Sequence, residues 1–190
     1  MKTKIAIFLG SFNPIHVGHL FIANKALEQT DVEQVWFVVS PQSPDKEEKD
    51  LLDVDDRIKM VEWSIIHSPN MFVCDIEKTL PKPNYTIDTI KALELKHPDC
   101  EFSIIMGSDN LRNIDKWTNF KEVSENYRFI VFDRPGYEVK DSRYDIVWMN
   151  VPRMEISASY IREELRAGRD IRFLVPNGVI SYIKKKEIYV

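Results

Sequence analysis

Two histidines near the start of the chain, His16 and His19, are the residues whose types and spacing are best suited to chemistry. Side chains at positions i and i+3 of a helix lie on one face, so both imidazoles can reach the same small volume and donate to phosphate oxygens. Before them, Gly10 lies between an apolar run that indicates a strand, residues 5–9, and a helical pattern at residues 20–29. Glycine lets a ligand approach the backbone, and the first N–H groups of a helix face an anion. The segment therefore predicts a phosphate site.

Other readings of this segment are weaker. A structural zinc site needs four ligands, and two histidines supply only two, with no nearby Cys or second His pair to complete it. The sequence contains neither G-x-x-x-x-G-K-S/T nor G-x-G-x-x-G, so the common phosphate-binding glycine motifs are missing. Cys74 and Cys100 lie in separate segments and predict no disulfide framework or thiolate metal site. We expect no metal ligands in the protein itself.

Composition limits the classes of partner. The 190 residues can form one core, and we expect one domain, residues 1–190. A net charge of −4 gives no general attraction to nucleic acid or to an anionic membrane. No apolar run approaches the roughly 20 residues of a membrane span, and the N-terminus lacks a signal-peptide pattern. We therefore expect a cytoplasmic protein that binds neither nucleic acid nor membrane, and its state as monomer or homo-oligomer stays open.

Short apolar runs alternate with amphipathic segments along the whole chain. The runs predict strands at residues 5–9, 35–39, 71–76, 102–106, 129–132 and 146–149. The segments between and after them predict helices at residues 20–29, 54–68, 87–96, 120–125, 159–167 and 176–185. Continuous apolar strands alternating with helices are typical of an α/β fold, a Rossmann-like doubly wound parallel sheet. Ligands of such sheets bind beyond the carboxyl ends of the strands, so the loops there are the places to look for function.

The histidine segment resembles a known signature. Phe12-Asn13-Pro14-Ile15-His16-Val17-Gly18-His19 is similar to the T/S-F-D-P-x-H-x-G-H motif of the HxGH nucleotidyltransferase superfamily, whose members join a nucleotide to an acceptor and release pyrophosphate. Two positions depart from that pattern. Leu9 replaces a frequent glycine, and Asn13 replaces a frequent Asp, keeping the acceptor oxygen but not the charge. We therefore assign Asn13 no role as a general base.

Three further segments resemble the bacterial nicotinate-nucleotide adenylyltransferase family within that superfamily. Residues 40–46, from Ser40 to Lys46, are similar to its S-P-x-x-P-x-K loop, although Lys46 taken alone favours a solvated lysine beside Glu47, Glu48 and Lys49. Arg57, followed by Met60, is similar to R-x-x-M, and its alternative is a surface ion pair with Asp53 or Glu62.

The third segment starts at Tyr85 and Thr86 and is similar to the family's Y-T-x-x-T. It lies at a predicted helix start, where free N–H groups suit a pyridine carboxylate, although simple N-capping by Thr86 is compatible with the same residues.

Later motifs extend the same resemblance. Gly107-Ser108-Asp109-Asn110-Leu111 is similar to a G-x-D-x-L loop, in which the Asp109 carboxylate would accept from ribose hydroxyls. Trp117 is similar to a tryptophan that stacks on the pyridine ring, with a core tryptophan as the alternative. Arg134 starts an R-P-G loop and reaches the triphosphate or braces the loop.

Residues 156–162 are similar to I-S-S-T-x-I-R. Ser157 and Ser159 would cap a helix facing the phosphates, and Arg162 would add a charged donor, while Ala158 replaces the middle serine of the family pattern.

The resemblance implies an adenylyltransferase that joins ATP to nicotinic acid mononucleotide, with His16, His19 and Arg162 as the catalytic residues and Mg²⁺ arriving with ATP. The residues implied to bind ATP are Gly10, Ser11, Phe12, His16, His19, Gly107, Asp109, Arg134, Ser157, Ser159 and Arg162. Those implied to bind the acceptor are Asn13, Ser40, Lys46, Arg57, Tyr85, Thr86 and Trp117. The alternatives are a different acceptor, such as nicotinamide mononucleotide or phosphopantetheine, or a nucleotide-binding module without catalysis.

Overall fold

Six parallel strands form one sheet in the part of the chain that the structure describes. The computed structural model describes residues 2–42, 51–134, 136–137, 143–152 and 154–189. Its strands are β1 (Thr3–Gly10), β2 (Gln34–Val39), β3 (Met71–Cys74), β4 (Cys100–Gly107), β5 (Arg128–Phe132) and β6 (Ile146–Met149). They pair in the order β3-β2-β1-β4-β5-β6, with every pair parallel. The structure thus has the predicted Rossmann-like α/β fold.

Helices cover both faces of this sheet. They are α1 (Val17–Gln29), α2 (Val54–Ile65), α3 (Thr86–Lys96), α4 (Ser108–Arg112), α5 (Phe120–Asn126), α6 (Ala158–Arg166) and α7 (Asn177–Lys186). One core contains side chains of α1, α2, α6 and α7, and the other contains side chains of α3, α4 and α5. Strand β1 serves both cores, because Ala6 and Phe8 belong to the first and Ile5 and Ile7 to the second. This explains why its sequence is apolar without alternation.

The predicted elements are all found, with shifted ends. Helix α1 begins at Val17, three residues earlier than its apolar pattern, because the chain becomes helical directly after the extended residue His16. Strand β3 ends at Cys74, and the predicted remainder turns into a short 3₁₀ helix, Ile76–Thr79. Helix α4 was not predicted. Five residues are too few to display helical periodicity.

The strand order places the candidate site. From β1 the chain continues to β2, toward the β3 edge of the sheet, whereas from β4 it continues to β5, toward the β6 edge. These two central strands end at Gly10 and Gly107, and their diverging connections leave a crevice between them. None of the helices in the described parts of the chain is long and apolar enough to cross a membrane.

Candidate active site

A cleft of about 350 Å³ opens at the carboxyl ends of β1 and β4. Its lining includes every residue that the sequence assigned to ATP, drawn from four separate segments: Gly10, Ser11, Phe12, His16, His19, Gly107, Asp109, Arg134, Ser157, Ser159 and Arg162. The sheet topology therefore brings the motif of the N-terminal third together with the helix α6 motif of the C-terminal third.

The two histidines meet face to face in this cleft. Their rings stack with centroids 3.6 Å apart and an angle of 28° between the ring planes. The backbone N–H of His16 donates to His19 Nδ1 at 3.3 Å. His16 is only 6% exposed, whereas His19 is half-buried. Burial, with a smaller effect from the Arg134 charge, lowers the pKa of His16 to about 4, so this imidazole is neutral at pH 7. The prediction that both rings reach one small volume is correct.

Phe12 packs against His19 and Gly10 in the histidine segment. It adopts a left-handed backbone with φ of 45°, and its ring packs edge-on against the His19 ring with centroids 5.1 Å apart. The same ring covers Gly10, where a Cβ atom would lie 3.0 Å from Phe12 Cζ. Gly10 is therefore needed partly for the close packing of Phe12, a reason that the sequence pattern did not supply.

The start of helix α6 supplies hydroxyl and guanidinium groups to the cleft. Ser157 is the N-cap, and its side chain accepts from the Tyr160 N–H at 3.1 Å. Ser159 lies within the first turn and accepts instead from Arg162 Nη2 at 3.2 Å. Only Ser157 caps the helix, so the capping prediction holds for one serine of the two. The N–H groups of this first turn lack carbonyl partners within the helix, and Ser157, Ala158 and Ser159 line the cleft, so the helix start is suited to an anion.

Gly107, Asp109 and Arg134 form the far wall. Arg134 Nη1 donates to Asp109 Oδ2 at 2.8 Å, with the arginine side chain exposed at the cleft rim. A Cβ atom at Gly107 would lie 2.3 Å from Asp109 Oδ1 and 2.8 Å from Arg134 Cδ. Only glycine leaves room for this ion pair. Arg134 therefore braces the loop through Asp109, which is one of its two expected roles, and because it also lines the cleft, contact with the triphosphate stays a prediction.

A second cleft of about 560 Å³ adjoins the first. Both are lined by Leu9, Gly10, Ser11, Ile105, Met106 and Asn110, so they meet over the ends of β1 and β4. Four residues assigned to the acceptor lie here, namely Ser40, Tyr85, Thr86 and Trp117. Thr86 and Ile87 are the first two residues of α3, with Tyr85 as N-cap, so their N–H groups lack carbonyl partners within the helix. Trp117 packs against the core that contains α3 and also lines the cleft.

Two residues that the sequence interpretation missed form the base of the second cleft. Glu77 is 1% exposed and accepts from the Thr89 hydroxyl at 2.6 Å. Burial raises the pKa of Glu77, and hydrogen bonds from Ser40 and Thr89 offset part of that rise. Asn84 links the neighbouring loops, donating to the Glu77 carbonyl at 3.1 Å and accepting from the Gln42 N–H at 3.3 Å. Lone polar residues in turns gave no sequence signal for this network.

Arg57 has a different role from the one expected. It is 1% exposed and lines neither cleft. Its guanidinium donates to four carbonyls, those of Ser11, Ser40, Pro41 and Leu52, over distances of 2.6 to 3.1 Å. The direct acceptor contact and the surface ion pair are both replaced by a buried brace beneath the two clefts, because the loops after β1 and β2 converge on this side chain.

Asn13 and Lys46 complete the comparison with the sequence. Asn13 lines the first cleft and not the second, and its side chain points toward Leu52 and Tyr189. Lys46 falls outside the described residues. Among those residues, no three His, Cys, Asp or Glu side chains group as a metal site.

Comparisons with known proteins decide the family. A model described as cytidylyltransferase-like matches residues 7–164. A protein of Cytophaga hutchinsonii named "Probable nicotinate-nucleotide adenylyltransferase" is 41% identical over 98% of both chains. One of Flavobacterium psychrophilum with the same name is 39% identical over 98% of both chains. The chain belongs to the nicotinate-nucleotide adenylyltransferase family.

A solved structure of this family has the same fold. Plasmodium falciparum nicotinic acid mononucleotide adenylyltransferase, complexed with NaAD, superimposes with a TM-score of 0.83 over 98% of this chain and 97% of that one, at 24% identity. This member of the family has the doubly wound sheet, and two adjoining clefts lie over the ends of β1 and β4.

Proposed function

We propose that the protein transfers the adenylyl group of ATP to nicotinic acid mononucleotide, forming nicotinic acid adenine dinucleotide and pyrophosphate. The meeting of the two clefts over Gly10 and Ser11 carries this proposal. Two nucleotides bound in adjoining clefts can bring a phosphate of one next to the α-phosphorus of the other. Full-length similarity to relatives named for this activity supports the same reaction.

The first cleft suits ATP. His19, the N-terminus of α6 and Arg162 are donors on one side, where negative charge accumulates on the leaving pyrophosphate. Asp109 on the far wall offers a carboxylate for ribose hydroxyls, held in place by Arg134. ATP enters as its divalent-cation complex, which we take to be the Mg²⁺ complex, since Mg²⁺ is commonly held by substrate phosphates with few protein ligands.

The second cleft suits a pyridine mononucleotide. The N–H groups of Thr86 and Ile87 at the start of α3 favour a carboxylate, which only accepts hydrogen bonds. Trp117 offers one face to a flat ring. Ser40 and Tyr85 add polar groups to the lining of this cleft.

The step itself needs no nucleophilic side chain. An oxygen of the acceptor phosphate attacks the α-phosphorus, forming one P–O bond while the bond from that phosphorus to the β-phosphate bridging oxygen breaks, and pyrophosphate carries the electron pair away. No proton transfer is required. The protein contributes alignment of the two phosphates and donors for the displaced charge.

The test is a product assay with three acceptors. Purified protein is incubated with MgATP and nicotinic acid mononucleotide, nicotinamide mononucleotide or phosphopantetheine, and both pyrophosphate and the dinucleotide product are quantified. Turnover should be fastest with nicotinic acid mononucleotide. Preference for another acceptor would transfer the proposal to that substrate class, and pyrophosphate without a coupled product would contradict it.

A further inference from the structure

The last described residue of the chain reaches back to the histidine motif. Helix α7 ends at Lys186, and Glu187 and Tyr189 both have left-handed backbone, with φ of 53° and 67°. This reversal directs the Tyr189 side chain into the core that α1, α2, α6 and α7 share. Its hydroxyl donates to Asn13 Oδ1 at 2.5 Å, a contact between residues 176 positions apart.

Asn13 connects this tyrosine with the phosphate donors. It is 2% exposed, and its Oδ1 also accepts from the Leu52 N–H at 3.3 Å. Its carbonyl accepts from Arg162 Nη1 at 2.8 Å, while Arg162 Nη2 donates to Ser159 at 3.2 Å. The orientation of the Arg162 guanidinium therefore depends on where the Asn13 peptide lies. The Tyr189 hydroxyl and the Leu52 N–H both donate to the Asn13 side chain and hold it.

The phenol is suited to act as a donor. Burial raises the pKa of Tyr189, which outweighs the opposite influence of the Arg162 and Arg57 charges, so the hydroxyl keeps its proton at neutral pH. Tyr189 lines neither cleft and cannot touch a substrate there directly. The hydrogen bonds from Tyr189 to Asn13 and from Arg162 to the Asn13 carbonyl give the hydroxyl an indirect route to the reaction.

We propose that Tyr189 is a positioning residue of the active site, which holds Asn13 so that Arg162 presents its guanidinium to the phosphates of ATP. The proposal rests on the function proposed above, in which Arg162 faces the leaving pyrophosphate. Loss of the hydroxyl loosens the Asn13 side chain and, with it, the carbonyl that Arg162 uses.

The chain offers a matched control in Tyr182. This residue lies on α7, is buried, and donates its hydroxyl to Asp56 Oδ1 at 2.6 Å, yet it lines neither nucleotide cleft. Tyr182→Phe and Tyr189→Phe thus each remove one short hydrogen bond from the C-terminal part of the molecule. Only the second bond leads to the histidine motif.

Steady-state kinetics and thermal melts of the two variants form the first arm. Because one hydrogen bond is worth about 1 kcal/mol, we expect Tyr189→Phe to lower kcat/KM for ATP by roughly fivefold to tenfold. Tyr182→Phe should keep the parental kcat/KM, although its Tm should fall at least as far as that of Tyr189→Phe. If Tyr189→Phe retains parental kinetics, or if both variants lose kcat/KM in proportion to Tm, the hydroxyl acts on stability alone and the proposal fails.

A double-mutant cycle with Arg162→Lys forms the second arm. Lysine keeps the charge but lacks the fork that joins Asn13 to Ser159. If Tyr189 acts through this arginine, Tyr189→Phe should cost little once Arg162→Lys is present. Losses that multiply would overturn the proposed route.

The same cycle is repeated with calorimetric binding of α,β-methylene-ATP, which needs no acceptor. A parent that turns over no acceptor would refute the proposed function. The positioning role would still be supported if Tyr189→Phe bound the analogue more weakly than the parent while Tyr182→Phe bound it as the parent does. Equal affinities of Tyr189→Phe and the parent would refute it.

Discussion

The His19 imidazole is stacked against the His16 imidazole at 3.6 Å, and its Nδ1 is engaged by the His16 backbone N–H. Because Nδ1 takes part in this contact, Nε2 is the ring nitrogen that His19 would present to a ligand in the cleft that it lines. His16, by contrast, is largely covered. The pair therefore divides into a supporting ring and a presenting ring.

Replacing the presenting ring should reduce turnover. His19→Ala removes a donor to charge that moves onto pyrophosphate, and loss of one such donor typically lowers the rate by about 10²–10³-fold. Steady-state kinetics beside a thermal melt checks this, with His67→Ala, an exposed histidine beyond α2, as the control. Turnover within threefold of the parent and an unchanged melt would refute a catalytic role for His19.

Neutrality of the supporting ring should make the fold sensitive to acid. The unfolded chain protonates His16 near its ordinary pKa of 6.5, but the folded chain does so only at about 4. The unfolded state therefore binds more protons between these values, so the stability contributed by neutral His16 is complete above pH 6.5 and is lost as the pH falls toward 4. The loss amounts to about 3 kcal/mol at pH 4.

Denaturant unfolding of the parent and His16→Gln from pH 7 to pH 4 measures this effect. The parent should lose more free energy of unfolding than the variant across this range, and His67→Gln should follow the parent. Parallel curves for the parent and His16→Gln would show that the buried imidazole does not resist protonation.

Arg57 should matter for stability more than for the acceptor. Arg57→Met leaves the carbonyls of Ser11, Ser40, Pro41 and Leu52 without their buried donor, and breaking a buried charged network of this kind costs about 3–5 kcal/mol. Lys59→Met on the same helix breaks an exposed pair with Glu62 and should cost under about 1 kcal/mol. Equal unfolding free energies for the two variants would contradict the brace.

Trp117 should affect acceptor binding without setting acceptor choice. Each mispaired buried donor costs about 1–3 kcal/mol, so two N–H groups at α3 should favour nicotinic acid mononucleotide over the amide by on the order of 10²-fold or more in kcat/KM. Trp117→Ala should raise KM for both acceptors and preserve their ratio, because ring stacking serves both. Trp148→Ala on β6, which lines neither cleft, is the control. If Trp117→Ala lost the preference in kcat/KM for nicotinic acid mononucleotide over the amide, the indole ring would be the group that selects the acceptor.

Much of the architecture was determined by the sequence alone. Apolar runs alternating with amphipathic segments predicted the six strands and six of the seven α-helices found in the described residues, because a parallel sheet needs strands apolar on both faces. The sequence also identified three parts of the first cleft: the loop after β1, the loop after β4 and the start of α6. Glycine, helix N-termini and the two histidines carry their chemistry in local spacing, and parallel strands bring their carboxyl ends to one edge.

The tertiary structure decided which polar side chains face substrate and which hold the loops. Arg57 reads in sequence like a ligand-binding arginine, yet its carbonyl partners include Ser11, 46 residues away. Tyr189 and Asn13 are 176 positions apart, and their bond exists only because α7 packs on α2 and the chain then reverses. Local periodicity and turn chemistry carry no information about such contacts. They depend on how loops from distant segments converge, and burial then requires each polar group there to find a partner.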